Sequence, residues 1–246
     1  MATDHFGQVA THYASHRPAY PVALFAWLAS QCNDNTLAWD CGAGSGQASA
    51  ALATHFKQVL ATDMSAEQLA RAIPHPRIAY RTALAESSGL PDQSADLVTV
   101  AQALHWFDTA RFYGEVKRVL KPGGVVAAWS YGVIGIDGDE VNALLQDFYH
   151  RVIGPYWPPE RHHVETGYRE LPFPFQRLDT PSLAMQTDWT LAHLAGYLRS
   201  WSASARYVSD TGRDAVNDLV VQLEPCWGDP LLERTVRWPL ALLAGR

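Results

Sequence analysis

The heptapeptide Asp40-Cys41-Gly42-Ala43-Gly44-Ser45-Gly46 constrains this chain more than any other stretch. Glycine at alternate positions permits tight or positive-φ turns, and it lets a ligand lie against bare main chain where a β-carbon would collide. The run Thr36 to Trp39 before it is short, apolar and strand-like, and Ala48, Ala51, Leu52 and His55-Phe56 after it recur at helical spacing. A glycine-rich turn of this kind belongs at the carboxyl end of a strand in an open parallel sheet, where such sheets bind ligands.

The rest of the first 132 residues alternates short β-like runs with helical patterns, which predicts a doubly wound α/β core built from crossover units. Pro21 opens the first helix, since its missing N–H is one that a helix start leaves unpaired, and Leu24, Trp27 and Leu28 give that helix an apolar face. Strands are expected at 36 to 40, 58 to 63, 77 to 81, 95 to 101 and 124 to 130. Ser65 and Gln68 form a capping box, with Leu69 and Ile73 on the buried face of the helix that follows. Phe112, Val116, Val119 and Leu120 make a helical stripe, stopped by Lys121-Pro122-Gly123-Gly124.

After Tyr131 the pattern changes. Val141, Leu144, Leu145, Phe148 and Val152 keep helical spacing until Gly154-Pro155-Tyr156-Trp157-Pro158-Pro159 breaks it. Strand-like Ser182 to Trp189, helical patterns at Leu191 to Leu198 and around Val216 to Leu223, and strand-like Thr235 to Leu243 follow, bringing the expected strands to seven. Six of the nine tryptophans lie after residue 128, which suits either an aromatic lid or large side chains filling a thin second layer. The expected organisation is one domain over 1–246, with a core at 1–132 and a lid and closing strands at 133–246.

Composition removes several classes of function. The net charge is −6 with no basic stripe, against a grip on nucleic-acid phosphates and for a small-molecule substrate. No apolar stretch approaches the roughly 20 residues of a membrane span, and Asp4 and His5 stand where a signal peptide would be basic and then apolar, so a soluble, cytoplasmic protein is expected. Cys32, Cys41 and Cys226 form no C-x-x-C pair, and among the histidines only His162-His163 are adjacent, so neither a disulfide framework nor a metal is expected.

The spacing of the glycines bears on the cofactor. A dinucleotide fingerprint needs a third glycine where Gln47 stands, which disfavours nicotinamide or flavin. Asp40 before the turn, with Asp63 at the end of the next apolar run, resembles the D/E-x-G-x-G-x-G motif and second acid of class I S-adenosylmethionine-dependent methyltransferases. Further segments are similar to that family: Ala85-Glu86 with Leu90-Pro91-Asp92 and Ser94-Ala95-Asp96-Leu97-Val98, then Gln102-Ala103-Leu104-His105-Trp106-Phe107-Asp108, and Lys117-Arg118-Val119-Leu120-Lys121-Pro122-Gly123-Gly124. Tyr13, Arg17-Pro18, Tyr20-Pro21 and Trp201-Ser202-Ala203 resemble the methyltransferase type 11 branch that includes relatives of trans-aconitate methyltransferase. Leu84 departs from the pattern, standing where many relatives place an aspartate facing the adenine amino group.

The resemblance implies a Rossmann-like fold, S-adenosyl-L-methionine as cofactor, and a set of site residues. Cofactor contacts fall on Arg17, Asp40, Gly42, Ala43, Gly44, Gly46, Asp63, Met64, Ala85, Glu86 and Gln102. Asp63 would accept from the ribose hydroxyls, though it could instead be a helix-start acid, and Met64 is either an adenine wall or a core filler. Asp40 would order the glycine loop through main-chain N–H groups, and Arg17 would pair with the methionyl carboxylate or be a solvated surface charge. His105 is the candidate catalytic residue, as a general base for a hydroxyl or amine or as a positioning group for a carboxylate, against a purely structural role. Tyr13, Tyr20, Trp106, Tyr131, Trp201, Ser202 and Arg206 are candidate acceptor contacts. A nicotinamide-dependent oxidoreductase and a non-catalytic nucleoside-binding relative are the alternatives.

Overall fold

A computed structural model describes residues 19–246, so Tyr13 and Arg17 lie outside the described residues. The chain forms two compact units, a core of Tyr20–Gly132, His162–Leu183 and Leu240–Arg246, and a second unit that includes Val133–Arg161 and Ala184–Pro239.

The described residues contain eight strands: β1 Leu37–Cys41, β2 Gln58–Asp63, β3 Ile78–Thr82, β4 Ala95–Ala101, β5 Leu120–Tyr131, β6 Gly135–Ile136, β7 Leu183–Trp189 and β8 Arg234–Gly245. In the core the order is β3-β2-β1-β4-β5, every pairing parallel. The end of β8 closes this sheet antiparallel to β5, from Tyr131↔Leu240 to Val126↔Gly245. The chain winds outward through β2 and β3 and then returns to the other side of β1 for β4. The strand order therefore reverses between β1 and β4, and open sheets of this kind bind ligands beyond the carboxyl ends at such a reversal.

Helices cover both faces because the strands alternate. Trp39, Val98 and Val100 point to one face, where helix residues Phe112, Val116 and Val119 are fully buried; Ala38 and Leu97 point to the other, against Leu24, Leu28 and Leu52. Each such large side chain contributes about 1.5–3 kcal/mol over leaving it in water. Asp96, at the start of β4, accepts hydrogen bonds from the Thr36 and Leu37 amides (3.0 and 2.9 Å) and pairs with Lys121 at 2.6 Å, so the lysine of the 117–124 run helps to set the register at the sheet's amino end.

Four expectations are corrected. The sheet has eight strands and not seven, because the two-residue β6 is too short to carry a pattern. The fifth strand begins at Leu120, running through the Lys121-Pro122-Gly123-Gly124 turn with a register shift beside Ala95. Ser65 accepts from the Gln68 amide, but the helix Ala66–Ala70 buries nothing and Ile73 is 72% exposed, since this helix packs near the open edge strand β3. Residues 202 to 211, read only as a motif, form the helix Ser202–Thr211, which escapes a periodicity search because only Ala203 and Ser204 of it are buried.

In the second unit the tryptophans make a core of their own. Trp189, Trp201, Trp227 and Trp238 are buried, Trp189 and Trp238 pack edge to face at 5.1 Å, and the Trp238 indole N–H donates to Tyr197 Oη at 3.1 Å.

Candidate active site

The loop that leaves β1 is built from three left-handed glycines, Gly42, Gly44 and Gly46, with φ of +70°, +55° and +81°. The Gly42 and Ala43 amides donate to the Thr62 carbonyl at 2.8 and 2.9 Å, which stitches the loop to β2. The Gly44 amide donates to Asp63 Oδ2 at 2.8 Å. The three glycines differ in what a side chain would meet. A β-carbon on Gly42 would lie 2.7 Å from Ala103, and one on Gly46 would lie 2.6 Å from the Tyr80 hydroxyl, so protein forbids both. Among the described residues, a β-carbon on Gly44 would have no atom within 4 Å. The described residues thus leave the space over Gly44 open, as a ligand lying on bare peptide requires.

Asp63 stands at the end of β2 with both carboxylate oxygens engaged by amides: Oδ2 by Gly44 and Oδ1 by Ser65, each at 2.8 Å. A carboxylate has about four lone-pair sites, so each oxygen keeps capacity for a ligand donor. Next to it, Met64 is 69% exposed, which rules out core filling. Asp40 lies in β1, one residue before its end. It is fully buried and accepts from the Ser49 hydroxyl at 2.5 Å and the Thr99 hydroxyl at 2.9 Å, so it braces β1 against the following helix and β4, while Asp63 holds the Gly44 amide. Burial pushes the Asp40 carboxyl up to about 6, against the pull of those two hydroxyls. Sequence reasoning missed Ser49 and Thr99; nothing in the residue types marks them as a pair facing one acid.

After β3, Leu84 and Ser87 bridge across a tight turn that carries the half-buried Ala85 and Glu86, with Leu84 itself exposed. Beyond β4, Gln102 takes a left-handed φ of +59°, its amide donating to the Trp129 carbonyl at 2.9 Å and its side chain reaching the Tyr131 carbonyl at 3.5 Å. The 3-10 turn Leu104–Trp106 follows, with the rings of His105 and Trp106 4.7 Å apart and Trp106 half exposed. His105 Nδ1 lies 3.0 Å from the Tyr168 hydroxyl, a second residue that sequence reasoning missed. Tyr20 packs edge to face on Trp129 at 5.6 Å and meets Tyr131 at 6.5 Å. The loop after β1 and the turn after β4 thus flank the point of strand reversal together. Three acceptor candidates belong to the second unit: Trp201 is buried among Tyr149, Trp157 and Tyr197, Ser202 is exposed, and exposed Arg206 donates to the Tyr156 carbonyl at 3.2 Å.

Comparison with known proteins agrees with this geometry. Residues 39–128, the stretch from β1 to β5, match the family model described as a methyltransferase domain. A methyltransferase of Dictyostelium discoideum is 34% identical over 219 residues, covering 88% of this chain and 83% of its own. An uncharacterized methyltransferase of Mycobacterium tuberculosis is 34% identical over 180 residues, 66% of this chain and 70% of its own. A solved structure described as a type II methyltransferase from Anaeromyxobacter dehalogenans superposes with a TM-score of 0.89 at 45% identity, covering 94% of this chain and 97% of that one. The chain belongs to the class I S-adenosylmethionine-dependent methyltransferases.

The methyltransferase is an enzyme of the type 11 branch, and the oxidoreductase alternative falls away. Among the described residues of the methyltransferase, no group of three or more His, Cys, Asp or Glu side chains could hold a metal ion, and no helix is long and apolar enough to cross a membrane.

Proposed function

We propose that this methyltransferase holds S-adenosylmethionine across the Gly42–Gly46 loop and methylates a small molecule at a carboxylate or hydroxyl oxygen. The observation that carries the reading is the left-handed Gly44, whose amide is held by Asp63 and whose outer face no atom of the described residues fills. Asp63 has lone pairs left to accept from two ribose hydroxyls, and charge-assisted bonds of that kind are roughly twice as strong as neutral ones. Exposed Met64 offers a polarizable wall for adenine. Ala85 and Glu86, on the turn after β3, are suited to the adenine edge, a role that Leu84 cannot take. Ala43, Gln102 and Arg17 complete the proposed cofactor contacts, and Asp40 supports the loop from beneath.

S-adenosylmethionine brings an activated methyl group on a sulfonium centre, so no covalent enzyme intermediate is required. What remains for the chain is alignment and exclusion of water. His105 and Trp106 sit on the turn after β4, on the far side of the reversal point from Asp63, and we assign them to the acceptor; Tyr20 and Tyr131 are assigned to its pocket. The net charge of −6, without a basic stripe, favours a small acceptor over nucleic acid.

Calorimetric titration with S-adenosylmethionine tests the cofactor, and a mass-spectrometric screen of small acids, phenols and amines for methylated product tests the acceptor. Saturable binding with release of S-adenosylhomocysteine is expected. Absence of binding, or methylation confined to macromolecules, overturns the proposal.

A further inference from the structure

The turn after β3 is tied down at its two ends by different means. At its entry the Ala83 amide donates to the Asp63 carbonyl at 3.1 Å, main chain to main chain. Its exit is Ser88, which is fully buried, and there a side chain from the helix Thr109–Val119 does the holding. Glu115 Oε1 accepts from the Ser88 amide at 2.8 Å and from the Ser88 hydroxyl at 2.6 Å, and the Leu90 amide donates to that same hydroxyl at 3.0 Å. Arg118, one helical turn on, donates from Nε to Glu115 Oε2 and from Nη2 to Oε1, both at 2.8 Å, and reaches the Leu90 carbonyl at 2.9 Å. All of these residues belong to the core unit.

The Glu115 carboxylate is charged, because the Arg118 guanidinium first, and then the Ser88 donors, hold it down at about 2 against the opposing effect of burial. Its side chain is only 7% exposed. Taking a carboxylate out of water offsets much of what its pairing returns, so such a contact is a poor source of stability; what it supplies is a defined position. Between the two ties the Ser87 amide donates to the Leu84 carbonyl at 3.1 Å, which makes Ala85 and Glu86 the central residues of the turn. The geometry points to Glu115 as a positioning residue: through Ser88 it sets where the 84–87 turn presents Ala85 and Glu86 to the base of the cofactor, so that a helix residue governs selectivity for adenine without touching it. This rests on the assignment of that turn to adenine under the proposed function. It also gives Arg118, in the 117–124 run, a part in cofactor recognition as the group that orients the carboxylate.

Calorimetric titration with S-adenosylhomocysteine and with its inosine counterpart, in which an oxo group replaces the adenine amino group, reads that selectivity directly. The wild type is expected to prefer the adenosyl compound by roughly 10- to 100-fold, since a site built to pair with a group rejects the analogue that lacks it. Glu115→Gln keeps one acceptor oxygen but loses the charge, and Ser88→Ala removes the hydroxyl while keeping the amide. Each should weaken binding of the adenosyl compound about 10-fold, leave that of the inosyl compound unchanged, and so lower the ratio about 10-fold. A merely structural role would lower thermal stability and leave the ratio intact, and an unchanged ratio in both variants overturns the inference. So does a wild type that binds the two compounds equally. If Glu115→Gln does not fold, Ser88→Ala decides alone. A wild type that binds neither compound overturns the proposed function together with this inference, whereas adenosyl binding with a ratio unmoved in the variants overturns the inference only.

Discussion

Gly44 and Asp63 are joined by a 2.8 Å hydrogen bond from the glycine amide to Oδ2, which locks the apex of the β1 loop to the acid at the end of β2. The link follows from register. Cys41 pairs with Thr62 at the ends of two parallel strands, so the loop after one and the acid after the other emerge side by side. One side chain therefore shapes the loop at the sheet's carboxyl edge.

Because Asp63 anchors the loop and is proposed to hold the ribose, its two simplest variants should separate the two roles. Asp63→Ala removes the acceptor of the Gly44 and Ser65 amides as well as the proposed ribose contact, whereas Asp63→Asn keeps one acceptor oxygen and loses the charge. Loss of affinity for S-adenosylmethionine is expected in both, by about 10- to 100-fold, the worth of one or two charge-assisted hydrogen bonds. Thermal unfolding should register a larger drop for alanine than for asparagine. Calorimetry showing wild-type affinity in Asp63→Ala would remove the residue from its assigned role.

Two glycines only two positions apart should respond to alanine in opposite ways. At Gly46 the new methyl lands 2.6 Å from the Tyr80 hydroxyl, so Gly46→Ala combines a clash with a left-handed backbone and should cost about 2–4 kcal/mol of stability. Gly44→Ala meets no neighbour among the described residues, leaving the conformational strain of roughly 1–2 kcal/mol, yet its methyl occupies the space proposed for the cofactor. Urea unfolding together with cofactor titration reads both quantities. The expected pattern is a folded Gly44→Ala that binds at least 10-fold more weakly and a Gly46→Ala damaged chiefly in stability.

The loop and Asp63 were legible in the sequence because their determinants are local: alternate glycines, a strand before, a helical pattern after, and an acid closing the next strand. What escaped depends on contacts distant along the chain. His105 and Tyr168 are 63 residues apart, and no local pattern around Tyr168 announces that its hydroxyl will meet an imidazole. The hydroxyls that Asp40 accepts from, Ser49 on the following helix and Thr99 on a neighbouring strand, lie 9 and 59 residues away. Ile73 shows another limit. Helical periodicity says which residues share a face, but beside an edge strand that face has little to pack against, and the apolar side chain stays in water.

The family-marking run at 117–124 contains a structural contact that mutation should expose. Asp96 is buried and satisfies two amides at the start of β1, and its partner Lys121 is one-third exposed. Asp96→Ala would leave two part-buried amides and a one-third exposed ammonium without this acceptor, at an expected cost of about 2–3 kcal/mol. Lys121→Ala leaves the carboxylate bonded to both amides and should cost about 1 kcal/mol. Chemical denaturation of the two variants measures the ratio, and equal losses would show that the ion pair, not the amide clamp, carries the contact.

Asp40 makes stability depend on pH in a direction opposite to that of an ordinary paired carboxylate. Its burial, first among the causes, raises the folded carboxyl from 3.8 to about 6, so between those values the folded protein binds a proton that the unfolded chain has released. The stability contribution is therefore fully present below about pH 4 and is lost as pH rises through about 6, a swing of roughly 3 kcal/mol at 1.36 kcal/mol for each unit. Asp40→Asn is nearly isosteric and carries no titrating proton; its carbonyl can accept from one hydroxyl while its amide donates to the other once that hydroxyl turns. Other groups titrate alike in both proteins, so the difference between the two urea-derived stabilities isolates this carboxyl. That difference should move in favour of Asp40→Asn by roughly 3 kcal/mol between about pH 3 and about pH 7. A difference that stays flat across the range would mean that the carboxyl titrates in the fold as it does in the open chain, and that water reaches the base of the glycine loop.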